Sequence, residues 1–295
     1  MIKERFQVFM SEQGLNQTAA AHQLGISASA LCLYLKGKYR SPASIESRIS
    51  KLLDSGMPQA QPVIRVHHLP FAMTTIATHV MQTLEYAQLE SNISVVYGDA
   101  GIGKTRATNE WVVGKANVIL LTVSPALSSP KSFLKYLASL LKTSRVGHID
   151  ELYLELCERL LQSGKMLIVD EAQHLKLPTL EIIRGIQEAT GVAVALIGNE
   201  TVYTKMIGRH AAEFAQLFSR IGWRKHLLTD HISVEDVESV FGRFVQPASL
   251  KPLFEICRSK YGLRGAINVY VNAANNGDLS PSGLKQMAQV MEILR

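Results

Sequence analysis

The sequence predicts an α/β protein: a parallel sheet covered by helices, with a small all-α unit before it and a helical segment after it. Three observations carry that expectation. Strand-like apolar runs alternate with helical patterns from Phe71 to about Thr229. Residues 98 to 105, Gly98-Asp99-Ala100-Gly101-Ile102-Gly103-Lys104-Thr105, match the phosphate loop G-x-x-x-x-G-K-[ST]. From Ile232 onward only helical periodicity remains.

The phosphate loop sits where its physics needs it. Ile93-Ser94-Val95-Val96-Tyr97 upstream is suited to a buried strand, and Arg106 to Val113 downstream can carry a helix. Three glycines let the backbone bend round a phosphate, while loop amides and the positive helix end face the anion. Lys104 would reach the β/γ-phosphates of ATP and Thr105 would hold Mg²⁺. Sixty-five residues on, Lys165 to Val169 is an apolar strand ending in Asp170-Glu171. Asp170 is placed as a Walker B carboxylate binding the Mg²⁺ hydration shell, and Glu171 as the carboxylate that orients and polarises the attacking water.

The remaining core elements follow the same alternation. Strands are expected at Val118 to Val123, at Val192 to Ile197 and at Arg224 to Thr229, with helices at Ser132 to Leu141, Leu152 to Gln162, Leu175 to Thr190 and Ala211 to Phe218. The C-terminal helices are expected at Ser233 to Phe244, Ser249 to Tyr261, Arg264 to Asn275 and Ser280 to Leu294.

Residues 1 to 54 form the small helical unit, and residues 55 to 70, with Gly56, Pro58, Pro62 and Pro70, read as a linker. Domain bounds are therefore 1–54, 55–70, 71–230 for the core and 231–295 for the helical lid. Gln17 to Leu24, the Gly25-Ile26-Ser27 turn and Ala28 to Lys36 resemble the repressor-type helix-turn-helix of phage regulators. Ala21 would be the small residue between crossing helices, with Ile26, Leu31 and Tyr34 in the core. Ser27, Ser29 and Lys36 would face DNA, with Lys38, Arg40, Arg48 and Lys51 near its backbone. The groove-facing set, Ser27, Ala28, Ser29, Cys32, Leu33 and Lys36, lacks the Arg, Asn and Gln residues that read bases in pairs of hydrogen bonds, which favours largely nonsequence-specific binding to double-stranded DNA.

The 295 residues are 47% hydrophobic and 19% charged, as in folded proteins, and the balance of 31 basic to 25 acidic residues gives +6 and a pI near 9.2. That charge is compatible with a polyanion partner. Cys32, Cys157 and Cys257 lack metal spacing and read as reduced, buried thiols. His67, His68 and His174 read as surface or structural histidines. No apolar run approaches a membrane span, so a soluble protein of the bacterial cytoplasm or nucleoid is expected, with no membrane partner.

The order of motifs resembles the AAA+ ATPases. On that resemblance Asn199, after the fourth strand, occupies the sensor 1 position. Arg220 in Ser219-Arg220 is the candidate arginine finger acting on a neighbouring subunit, with Arg224 as the alternative. Arg264 in Gly262-Leu263-Arg264-Gly265-Ala266 matches sensor 2. The helix-turn-helix directly before a minimal core and short lid, together with Val169-Asp170-Glu171-Ala172-Gln173-His174-Leu175, resembles the family of the phage Mu transposition protein B and related ATPase subunits of bacterial transposons.

The resemblance implies an ATP- and Mg²⁺-dependent DNA-binding protein. It would form a homo-oligomer, ring or helical filament, on target DNA, recruit and activate a DDE transposase, and leave on ATP hydrolysis. Lys131 and Lys135 are the core's candidate DNA contacts. The alternatives are an ATP-switched helix-turn-helix transcription regulator and a replication initiator or helicase loader.

Overall fold

The computed structural model describes residues 2–12, 15, 17–39, 41–54, 69–143, 146–207 and 221–294. The chain divides into two compact units near residue 65.

The N-terminal unit contains helices α1 (Ile2–Glu12), α2 (Gln17–Gln23), α3 (Ala28–Leu35) and α4 (Pro42–Asp54). Phe6, Ala20, Ala21, Leu24, Leu31, Tyr34, Ile45 and Ile49 close a small core of their own. The expected crossing residue Ala21 is buried, and Gly25 turns the chain between α2 and α3 at φ 62°. Arg48 of α4 donates Nη1 to the carbonyls of Leu24 and Gly25, both at 3.0 Å, and so clamps that turn. Arg48, expected near DNA, is exposed and uses one of its guanidinium nitrogens for this clamp.

The second unit is built on five parallel strands in the order β2-β3-β4-β1-β5. They are β1 (Ile93–Gly98), β2 (Val118–Thr122), β3 (Met166–Asp170), β4 (Ala193–Ile197) and β5 (Ile221–Leu227). The three central strands, β1, β3 and β4, are buried throughout, which explains their unbroken apolar runs. Successive side chains alternate between two cores. Val96, Ile168, Ala195 and Ile197 face one, with α5 (Thr75–Glu90) and α6 (Lys104–Val112). Val95, Leu167, Val169 and Leu196 face the other, with α7 (Pro130–Leu141), α8 (Ile149–Leu160) and α9 (Leu177–Thr190). A short helix, α10 (Glu200–Ile207), follows β4.

Most elements fall within four residues of the expected bounds, and two of the shifts have a clear physical reason. β5 starts three residues earlier, because its pairing with β1 runs from Ile93 opposite Ile221 to Gly98 opposite Leu227. Exposed Gly222, Trp223 and Arg224 at this sheet edge obscure the strand in the sequence. α9 starts at Leu177, since Leu175 is extended and Pro178 sits in the first turn. The helix expected at 211–218 lies outside the described residues.

The lid comprises α11 (Val234–Phe241), α12 (Pro247–Cys257), α13 (Gly262–Asn275) and α14 (Pro281–Val290). It packs into the same core as α5 and α6 through Val237, Phe241, Leu253, Ile256, Ala266 and Val269. Buried Asp236 ties α11 to α5: it accepts from the Thr75 amide at 2.7 Å, the Thr75 hydroxyl at 3.1 Å and the Ser233 amide at 3.0 Å. Cys257 is buried, whereas Cys32 and Cys157 are only half-buried; all three are free thiols. Among the described residues no helix is long and apolar enough to cross a membrane.

Candidate functional site

In a doubly covered parallel sheet, the carboxyl ends of the strands open onto a crevice. Here β1 runs into the phosphate loop, β3 ends at Asp170, and β4 ends before Gly198 and Asn199. A cleft of about 520 Å³ joins them, lined by Ala100, Gly101, Gly103, Lys104, Thr105, Asp170, Glu171, Gln173, Gly198, Asn199 and Arg264. The phosphate loop closes around the N-terminus of α6, whose first turn offers unpaired amides and a positive dipole end.

Lys104 crosses the loop on its inner side. Its Nζ donates to the carbonyl of Gly98 at 3.1 Å and of Asp99 at 2.5 Å, and the residue is buried. Burial pushes its ammonium down to about 8, against the pull of Asp170, Asp99 and Glu171, and Arg264 adds to the downward push. Opposite it, the Thr105 hydroxyl donates to Asp170 Oδ2 at 2.9 Å, while the Glu171 amide donates to Asp170 Oδ1 at 2.9 Å. Burial raises the Asp170 carboxyl above the ordinary range, opposed by those two hydrogen bonds. A hydroxyl and a carboxylate at this spacing, open to the cleft, are the hard oxygen donors that suit Mg²⁺ with its retained waters.

The other loop residues play different parts. Gly98, Asp99 and Ile102 lie behind the cleft lining rather than in it. The Ile102 side chain is wholly in the core. Asp99 accepts from the Thr229 amide at 2.8 Å and its hydroxyl at 3.1 Å, so its carboxylate anchors the loop to the segment after β5. Gly101 has φ 75°, and a Cβ there would lie 3.0 Å from the Tyr261 carbonyl oxygen and 3.2 Å from Arg264 Cβ. That closeness lets Arg264 donate its amide to the Gly101 carbonyl at 2.9 Å, fixing the start of α13 against the phosphate loop.

Glu171 follows β3 in the left-handed region at φ 58° and is half-exposed at the cleft. Gln173 Nε2 donates to its Oε2, and His174 Nε2 stands 4.0 Å from the same oxygen. His174 is thus a partly exposed neighbour of the site. Asn199 lines the cleft, but its Oδ1 is committed to the Thr201 amide at 2.9 Å, capping α10.

Several expected site residues fall elsewhere. Arg220 lies outside the described residues, as do Arg40, His67 and His68. Arg224 is exposed on β5 and does not line the cleft. Lys131 and Lys135 share an exposed face of α7, one turn apart. In the N-terminal unit Ser29, Lys36 and Lys38 are exposed, while the Ser27 hydroxyl accepts from the Ala30 amide at 3.1 Å and caps α3.

Two parts of the cleft have no clear signature in the sequence. Leu69, Pro70, Phe71 and Ala72 line it beside Val240, Leu263 and Ile267, giving an apolar flank to the polar phosphate end. Pro70 marks this stretch as linker, although Leu69-Pro70-Phe71 is an apolar run that a linker would not need. Gln173 is the other, and it separates Glu171 from Asn199.

Residues 88–206 match the family model described as AAA domain. The Mu-like prophage FluMu DNA transposition protein B of Haemophilus influenzae is 32% identical over 276 residues, covering 91% of this chain and 94% of that protein. The chain belongs to the DNA transposition protein B family. A second relative in that family, the ATP-dependent target DNA activator B of Escherichia phage Mu, is 31% identical over 210 residues, covering 69% of this chain and 65% of that protein. Among solved structures, the ORC2 protein of Aeropyrum pernix superposes with a TM-score of 0.54 at 13% identity, covering 78% of this chain and 71% of that one. A Walker-type ATPase of Pyrococcus abyssi gives 0.51 at 17% identity, covering 72% and 71%. These likenesses concern the fold, which is that of a P-loop AAA+ ATPase with a C-terminal helical lid.

Proposed function

We propose that this protein binds and hydrolyses ATP, oligomerises as a ring or helical filament on double-stranded target DNA, recruits and activates a DDE transposase, and leaves DNA when ATP is hydrolysed. The observation that carries this is the near full-length relation to a DNA transposition protein B, joined to a cleft in which Lys104, Thr105, Asp170 and Glu171 converge. The name of the phage Mu relative, an ATP-dependent target DNA activator, supports the coupling of nucleotide to DNA.

The loop amides and Lys104 hold the β- and γ-phosphates. Thr105 would hold Mg²⁺ and Asp170 its hydration shell, and the ion would supply positive charge to the phosphate oxygens. Glu171, half-exposed at the cleft, orients and polarises the attacking water. Asn199 and Arg264 contact the phosphates from the β4 end and the lid. Arg220, with Arg224 as the alternative, acts on the nucleotide of a neighbouring subunit. DNA is held by the phosphate-directed charges Lys36, Lys38 and Arg40 of the N-terminal unit and by Lys131 and Lys135 of the core. The protein acts in the bacterial cytoplasm or nucleoid.

The test is electron microscopy and footprinting of protein on DNA with ATP or ADP, followed by strand transfer with the cognate transposase. Uniform DNA coverage that needs ATP, and strand transfer directed to the covered DNA, are expected. A footprint confined to one short site, insensitive to nucleotide, would replace this function with operator binding.

A further inference from the structure

Glu171 has a carboxylate on three rotatable bonds at a half-exposed position, and water activation needs it held in one orientation. Gln173, in the single 3₁₀ turn Ala172–His174, hydrogen-bonds it, with His174 Nε2 farther off at 4.0 Å. Gln173 Nε2 donates to Glu171 Oε2, and its Oε1 accepts from the Asn199 amide at 3.3 Å. A carboxylate only accepts and a backbone N–H only donates, so the glutamine amide can make both bonds in one orientation alone. Room for it comes from Gly198, where a Cβ would collide with Gln173 Oε1. Glu171 is thereby strapped across the cleft floor to the end of β4.

We propose that Gln173 is a positioning residue for ATP hydrolysis: it holds the Glu171 carboxylate in its water-orienting pose and couples that pose to the Gly198–Asn199 segment. This rests on Glu171 being the water-orienting residue. In this role Gln173 acts through Glu171 rather than on the nucleotide, so nucleotide affinity is spared while turnover falls.

The experiment uses the full chain with Mg²⁺-ATP and compares turnover, KM and equilibrium ATP affinity in four variants. Gln173→Met keeps the length and removes both hydrogen bonds; kcat falls about tenfold, with KM and affinity within about twofold. Gln173→Glu keeps an acceptor for the Asn199 amide but loses the donor and adds a like charge beside Glu171, so kcat falls at least as far. Glu171→Gln is slow, and Glu171→Gln combined with Gln173→Met is no slower, because Gln173 acts through Glu171. Native turnover in Gln173→Glu would reduce Gln173 to a backbone support for Asn199 and overturn the proposal, as would multiplicative losses in the double variant. Loss of ATP affinity in Gln173→Met would also overturn it, by making the residue part of the binding site or of the fold. Native turnover in Glu171→Gln would instead overturn the role of Glu171 itself. A slow Glu171→Gln beside a native-rate Gln173→Met would remove only Gln173.

Discussion

The nucleotide cleft and the N-terminal helical unit put polar residues to opposite uses. In the cleft most polar side chains have a fixed partner: Thr105 on Asp170, Lys104 on the loop carbonyls, Gln173 on Glu171, Asn199 on Thr201. In the N-terminal unit the polar groups with fixed partners serve the fold, Arg48 on the turn and Ser27 on α3, while Lys36 and Lys38 stand exposed. Transition-state stabilisation requires groups pre-aimed within fractions of an ångström. Attraction to a DNA backbone requires only positive charge near phosphate. On the proposed function, one region should therefore be sensitive to single atoms and the other to summed charge.

The sharpest break of that comparison is a single substitution in the cleft. Glu171→Gln should slow ATP turnover by on the order of 10² or more while retaining nucleotide binding, and Lys104→Ala should weaken binding itself. Phosphate release and equilibrium nucleotide binding check both. No single lysine exchange in the N-terminal unit should match either effect on turnover.

A smaller and more graded effect is expected from removing residues 1–54. DNA affinity should fall by a similar factor on unrelated sequences. The slope of log affinity against log salt should become shallower by about 0.9 for each DNA phosphate that the truncated protein no longer neutralises. Titrations at several salt concentrations measure this, and ATP-dependent binding by the core should survive. A fall in affinity confined to one sequence would mean that the unit reads bases.

The smallest effect concerns pH. Burial depresses the Lys104 ammonium to about 8. Its charge is therefore complete well below pH 8 and is lost as pH rises through that value, where an exposed lysine would keep it until about 10.4. ATP affinity should accordingly weaken between about pH 8 and 10, and Lys104→Arg should flatten that dependence because guanidinium stays charged. A flat native profile would contradict the depressed ammonium.

What can be read from the sequence follows the same divide. The phosphate loop and the Asp170-Glu171 strand end are legible because each is a contiguous run whose order is dictated by geometry. Gln173 is not, since its contacts are with Gly198 and Asn199, 25 and 26 residues away in the chain. Leu69 and Pro70 read as linker because prolines mark linkers and cleft walls alike. The helical unit is legible from Ala21, Gly25 and Leu31, yet the clamp of Arg48 on the Leu24 and Gly25 carbonyls depends on how α4 docks.

The central claim, that ATP hydrolysis at this cleft ends the stay on DNA, is tested most directly by the lifetime of single DNA-bound complexes in Mg²⁺-ATP. Native protein should dissociate as its ATP is consumed, and Glu171→Gln should remain bound longer by about the factor that its hydrolysis is slowed. Equal lifetimes for the two proteins, with hydrolysis slowed in the variant, would contradict the claim.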